Sequence, residues 1–315
     1  MIALDSQETP RSVEIGFRLA RCACAGTIPI GCDAILQIKV RLRARYWVTL
    51  VLGAFACLGT LQSFQRPFTE YPGVEYDGLP LPPDAKVPAE WTFARLMFPP
   101  GWNDGYRGRF DGDYHKGLSL WTQDYPRADR FFSKAVARLS RVHARSVEQV
   151  VDLEAGDDVY NWPWLYAVQV GEWGITNNQA KILRDYLLRG GFFMADDFHG
   201  TTEWEVFNES MKRVFPDRPI VELESSDQVF HTMYELNETL QVPGAAHLRL
   251  GYKNDGQGQH WRAICDDKGR VMIAISYNSD LGDAWEYADD PHYPEAFTTF
   301  ATRIGLNELI YAMTH

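Results

Sequence analysis

Positive charge is in short supply in this chain. Its 31 Lys and Arg are outnumbered by 42 Asp and Glu, a formal net charge of −11. Phosphate recognition needs a basic face, so nucleic acid is not an expected partner. Cysteine is scarce too, with five in 315 residues, and Cys22, Cys24 and Cys32 fall near the start. Cys57 and Cys265 remain, too few for a disulfide framework, so the globular part must be held by its core. The chain has no G-x-S-x-G elbow, no H-E-x-x-H pair, no Walker loop and no G-x-G-x-x-G turn. Serine hydrolase, zincin and nucleotide-binding readings lose their usual support. The apolar run YWVTLVLGAFACLGTL (46–61) stops at 16 residues, short of the roughly 20 that a spanning helix needs.

That run follows Arg41, Arg43 and Arg45, and Ala54-Phe55-Ala56 has the small-x-small form of a cleavage site. A basic segment, an apolar segment and such a site describe a secretory signal over 41–61. We expect cleavage near Ala56, with an uncleaved anchor and membrane association through 46–61 as the alternative. Cys57 raises a lipoprotein signal, which Phe55 fits poorly. Either route places the domain in the periplasm or outside the cell. Residues 1–40 are an awkward leader, and the start is expected near Val40 unless the leader is unusually long. Loss of 1–56 removes seven basic and four acidic residues, leaving the remainder still more acidic.

Residues 62–90 contain six Pro and no helical period. They are expected to be an extended linker, or else an arm pinned to the domain by Phe64, Phe68 and Tyr71. The folded domain spans 91–315, and its aromatics, 13% of the chain, suit a dense core or a stacking surface. Strands are expected at 91–98, 144–153, 164–170, 192–195, 219–223, 247–253, 260–266 and 270–277. Helices are expected at 127–142, after the capping box Thr176–Gln179 as far as Leu188, after a second box at Thr202–Glu205 to about Phe215, and from Pro294 to Met313. Strand and helix alternate through the middle, and the middle strands are short and apolar. This is an α/β pattern: a mostly parallel sheet with helices on both faces, plus an antiparallel C-terminal extension. There is no internal repeat.

Ligands of open parallel sheets bind beyond the strand carboxyl ends. The residues following each expected strand are therefore the site candidates. The long loop after 91–98 carries Asp111, Asp113, His115 and Asp124; Glu172 and Trp173 follow 164–170. The run GGFFMADDFHG (190–200) ends in Asp196, Asp197 and His199, and Asn278, Asp280, Asp283 and Glu286 follow 270–277. Converging carboxylates with an imidazole suit a divalent metal at Asp196, Asp197 and His199. The same groups serve equally as general acid and base, one pKa raised by its like-charged neighbour. The structural alternatives are a turn cap at Asp197, an ion pair of Asp196 with Arg218, and a His199 bonded to backbone. Asp111-Gly-Asp113 lacks the regular calcium-loop spacing. His231 and the aromatic run at 160–166 are expected to be structural.

The stretches FARLMFPP, WTQDYPRADRFF, VYNWPWLYAV, LRDYLLRGGFFMADDFHG and ISYNSDLGDAWE resemble a bacterial family, domain of unknown function 4159, over about 91–313. The resemblance implies an envelope-associated domain of the flavodoxin-like, class I glutamine amidotransferase-like fold. It implies envelope partners as well, since related genes neighbour those of von Willebrand A proteins and MoxR-type ATPases. It brings no catalytic residues. In glutamine amidotransferases the comparable turn holds a Cys nucleophile; here it holds Asp196 and Asp197, and Cys265 has no glycine elbow. The expected function is therefore binding of a partner or small ligand at an acidic rim, without glutaminase activity. The alternative is a metal-dependent or acid–base hydrolase acting on an envelope glycan, which would need two carboxylates at a definite separation.

Overall fold

Trp164-Leu-Tyr-Ala167 and Phe192-Phe-Met-Ala195 are buried at every position, with no side chain reaching solvent. Side chains alternate across a strand. Trp164, Tyr166, Phe192 and Met194 fill one core, and Leu165, Ala167, Phe193 and Ala195 fill the other. A strand apolar on both sides must have helices on both sides, and these do.

The structure, a computed structural model, describes residues 66–76, 78–101 and 112–315. The chain divides into residues 1–61 and 62–315, and the described residues belong to the second unit. The leader, signal and anchor expected within 1–61, and Asp111, lie outside the described residues. Among the described residues no helix is long and apolar enough to cross a membrane.

Seven strands form one sheet in the order β2-β1-β3-β4-β7-β6-β5. They are β1 (Ala94–Met97), β2 (Gln149–Asp152), β3 (Trp164–Ala167), β4 (Phe192–Ala195), β5 (Val221–Glu222), β6 (His260–Cys265) and β7 (Val271–Tyr277). Strands β2, β1, β3, β4 and β7 run parallel, while β6 and β5 extend the sheet antiparallel. The parallel part has the doubly wound 2-1-3-4-5 order, β7 taking the fifth place. Helices α2 (Asn177–Leu188) and α3 (Gly200–Val214) cover one face. Helices α1 (Arg127–Leu139), α4 (Leu281–Glu286) and α5 (Glu295–Thr314) cover the other.

The Thr176 capping box forms as expected: Gln179 N donates to Thr176 Oγ1 at 3.0 Å and Thr176 N to Gln179 Oε1 at 2.9 Å. The box expected at Thr202–Glu205 does not. Helix α3 starts earlier, with His199 as N-cap, and it is Glu203 that accepts from His199 N, at 2.6 Å. The strand expected at 247–253 is a turn, because the His247 carbonyl accepts from both Leu250 N and Gly251 N. Its alternating apolar residues divide between core and solvent: Leu248 packs on the core while Leu250 is 62% exposed. The strand expected at 219–223 shrinks to Val221–Glu222, and α4 forms among the residues that follow 270–277, where no helix was expected.

The described part of the Pro-rich segment lies on the domain. Tyr71 N donates to the Tyr125 hydroxyl (3.1 Å), Leu118 N to Pro72 O (2.9 Å), and Arg130 pairs with Glu70 (2.7 Å).

Candidate functional site

Asp196 follows β4 directly, and its N–H still donates to Ala167 O of β3 at 3.0 Å. The next residue leaves the ladder. Asp197 has φ +50°, the left-handed region that costs a non-glycine residue roughly 1 kcal/mol or more. Six described non-glycine residues hold such angles, and five of them, Asp124, Gln169, Asp197, Asn254 and Asn278, adjoin this edge of the sheet. Strain of this kind persists only where the surroundings enforce it, and it gathers at functional sites.

The two aspartates do different work. Asp196 has no exposed surface, and both its oxygens are occupied. Oδ2 accepts from the Tyr166 hydroxyl (2.9 Å), Leu281 N (2.9 Å) and Gly282 N (3.0 Å), and the Ser276 hydroxyl donates to Oδ1. Burial pushes its pKa up to about 6, against the pull of these donors. Asp196 therefore ties β3 and β7 to the first turn of α4. Asp197 Oδ2 accepts from Gln169 Nε2 at 2.7 Å, and Oδ1 lies 3.0 Å from His199 Nε2. Burial would raise its pKa, but His199 and the Lys253 charge outweigh burial and hold the carboxyl below its usual range.

His199 is held by its backbone as the N-cap of α3. Its carbonyl accepts from Asn254 Nδ2 at 3.1 Å, and its Nδ1 is buried with no hydrogen-bond partner. The helix start behind it is capped by residues distant in sequence: Gly200 N donates to Asn278 Oδ1 (2.9 Å) and Thr201 N to Asp255 Oδ1 (2.8 Å). Lys253 approaches from the 247–253 turn, its Nζ 3.4 Å from Glu203. Asp280 caps α4, accepting from Asp283 N at 2.8 Å. Burial, then the charges of Asp197 and Asp283, pushes Asp280 well above the usual carboxylate range.

Among the described residues, three sets have ligand atoms within 4.8 Å of one another: Asp197–His199–Asp280, Asp124–Asp280–Asp283, and a third to which Glu75 is added, Glu75–Asp124–Glu286. Ligands on opposite sides of a cation bound at 2.0–2.5 Å are at most about 5 Å apart, so each set has a cation's dimensions. The first set adds nitrogen to oxygen donors.

The family model for a domain of unknown function (DUF4159) matches residues 114–313. The chain belongs to the DUF4159 family. No curated protein matches it.

Within this DUF4159 domain, the expected rim residues separate by role. Asp197, His199, Asp280 and Asp283 come together. Asp196 sits beside them but spends its oxygens on backbone and hydroxyl donors, and Arg218 pairs with Asp267 instead. Asp124 and Glu286 join a neighbouring acid group. Asn278 acts by position, bonding Gly200 N and Gly258 O. Trp173 is a core residue: it is 2% exposed, stacks on Phe193 and Phe207, and donates to Ser210 Oγ at 3.1 Å. Trp162, Trp164 and Tyr166 are buried, as expected of that aromatic run. His231 is bonded to Ser225 O and Glu235, a satisfied histidine near the surface. Asp113 caps a short turn through His115 N. Cys265 ends β6 opposite Val271, the first residue of β7, so it lies at the amino edge of the parallel strands, across the sheet from the site.

Lys253, Gln169, Glu203, Asn254 and Glu75 also belong to the site, although no sequence pattern marks them as such. Lys253 lay in an expected strand and Glu75 in an expected linker. An Asn254-Asp255-Gly256 turn signal was the one local hint.

Proposed function

We propose that the protein binds a divalent cation through Asp197, His199 and Asp280, and through that cation an oxygen-rich small ligand or partner group, in the cell envelope and without glutaminase chemistry. The observation that carries this reading is the convergence of a His199 ring nitrogen with carboxylate oxygens of Asp197 and Asp280, all three residues buried and these atoms within 4.8 Å of one another. A mixed nitrogen and oxygen donor set suits Mn2+ or Zn2+ better than Ca2+. The basic and apolar residues of 41–61 support the envelope assignment. The place of Cys265, away from the carboxyl edge, supports the absence of glutaminase activity. The test is the metal content of the full chain after equilibration with Mn2+ and dialysis. Wild type is expected to retain the ion, and His199→Gln and Asp280→Asn to lose tenfold or more in affinity. Equal retention in all three would end this reading.

One observation favours a second reading, an acid–base hydrolase of an envelope glycan. Asp197 is held low and Asp280 high within one group of side chains, the split that assigns a base and an acid. That reading requires reducing ends to be released from cell-wall glycan by the wild type and not by Asp280→Asn.

A further inference from the structure

The N-terminal arm brings a carboxylate to the domain at a place already crowded with them. Glu75 is exposed as a residue, yet its oxygens turn inward: Gln123 Nε2 donates to Oε1 at 2.7 Å and Asp124 N to Oε2 at 2.8 Å. The next arm residue, Tyr76, donates its hydroxyl to Glu286 Oε1. Asp124 is 1% exposed and Glu286 fully buried. Each keeps one oxygen, Oδ2 and Oε2 respectively, buried with no hydrogen-bond partner. Among the described residues no Lys or Arg forms an ion pair with Glu75, Asp124 or Glu286. A buried acceptor left unpaired costs roughly 1–3 kcal/mol, and two at one place beside a third carboxylate call for a shared positive group.

The surroundings hold this geometry. The fully buried Arg95 guanidinium bonds Trp121 O (3.1 Å) and Gln123 O (3.0 Å), fixing the turn that carries Asp124 at φ +60°. Asp124 Oδ2 reaches over Gly282, where a Cβ would stand 2.3 Å from it, so only glycine admits the carboxylate.

We propose that Glu75, Asp124 and Glu286 hold a second divalent cation, bound by oxygen alone, which fastens the N-terminal arm to the domain. Three carboxylate oxygens within 4.8 Å of one another suit Ca2+ or Mn2+. The site does not rest on the reading of the His199 group, because its donor set contains no nitrogen. The Asp124–Asp280–Asp283 set lies between the two.

The test uses the full chain, stripped of metal and titrated with Mn2+, followed by electron spin echo spectroscopy and by tryptic cleavage after Lys86, an exposed arm residue. Two classes of bound Mn2+ are expected, one coupled to imidazole nitrogen and lost in His199→Gln, the other without nitrogen coupling. Glu75→Gln, which leaves the domain core untouched, is expected to weaken the second class tenfold or more. Mn2+ is expected to slow cleavage after Lys86 at least tenfold in wild type and in His199→Gln, but not in Glu75→Gln. The proposal is overturned if wild type shows no nitrogen-free Mn2+, if Glu75→Gln keeps it at wild-type affinity, or if Mn2+ leaves the cleavage rate unchanged. Absence of the nitrogen-coupled class alone from wild type would refute the His199 reading and leave this one standing.

Discussion

Asp196 and Asp197 share a peptide bond and almost nothing else. The first is bound by two hydroxyls and two backbone N–H groups, the second by an amide and an imidazole. Replacing Asp196 with Asn removes the negative charge on which two hydroxyls and two backbone N–H groups converge. We expect a loss of about 2–3 kcal/mol in urea unfolding, since a buried charge-assisted bond and its orphaned partners each carry a share. Asp197→Asn is expected to cost less than about 1 kcal/mol, because asparagine tolerates φ +50°. Asp197→Ala adds roughly 1 kcal/mol of backbone strain. If the Asn and Ala variants of Asp197 prove equally stable, the enforced backbone angle is not what holds that turn.

At the scale of elements, the start of α3 is the part most dependent on the rest of the fold. Its first N–H groups are met by Asn278 and Asp255 rather than by a local box. Gly200 has φ +76°, and a Cβ there would stand 2.0 Å from Asp255 Oδ1. Gly200→Ala is expected to cost at least about 2 kcal/mol by urea unfolding, from left-handed strain together with lost capping bonds. This helix also shows what sequence patterns can and cannot reveal. Strands β3 and β4 were legible because every residue in them is apolar, and the Thr176 cap because its partner is three residues away. The α3 cap was hidden because its partners lie 54 and 78 residues along the chain. His-Leu-Arg-Leu at 247–250 alternates like a strand, but the choice between strand and turn was made by the turn bonds to the His247 carbonyl. The acidic rim was legible at Asp197, His199, Asp280 and Asp283, which follow β4 and β7 directly. Lys253 and Glu75 were not, since only tertiary packing carries them there.

Across the whole molecule, an acidic chain has buried several of its acids, and the cost depends on pH. Glu308 lies in α5, far along the chain from the rim, 2% exposed with Oε2 unpartnered. Burial, and then the Asp196 charge, pushes its pKa well above the usual glutamate value. The folded state therefore holds this proton more tightly than the unfolded chain does. Its stabilising effect is complete at acid pH and is lost as pH rises above the ordinary glutamate range toward the raised value. Glu308→Gln is expected to remove that decline and to raise stability at pH 8 by about 1–2 kcal/mol. Denaturant melts of both proteins at pH 5 and pH 8 would check it, and parallel losses in the two would refute it.

The two-residue β5 has a consequence for how copies of this molecule meet. An open sheet ends in a row of unsatisfied N–H and C=O groups that can recruit a strand from another molecule, and long flat apolar edges do so readily. Here the outer strand is a stub, and its Glu222 is already engaged by His260 at 2.9 Å and Arg262 at 2.7 Å. A neighbouring chain would find two residues to pair with and an ion cluster to displace, so crowding of copies gives this sheet no template for growth along that side.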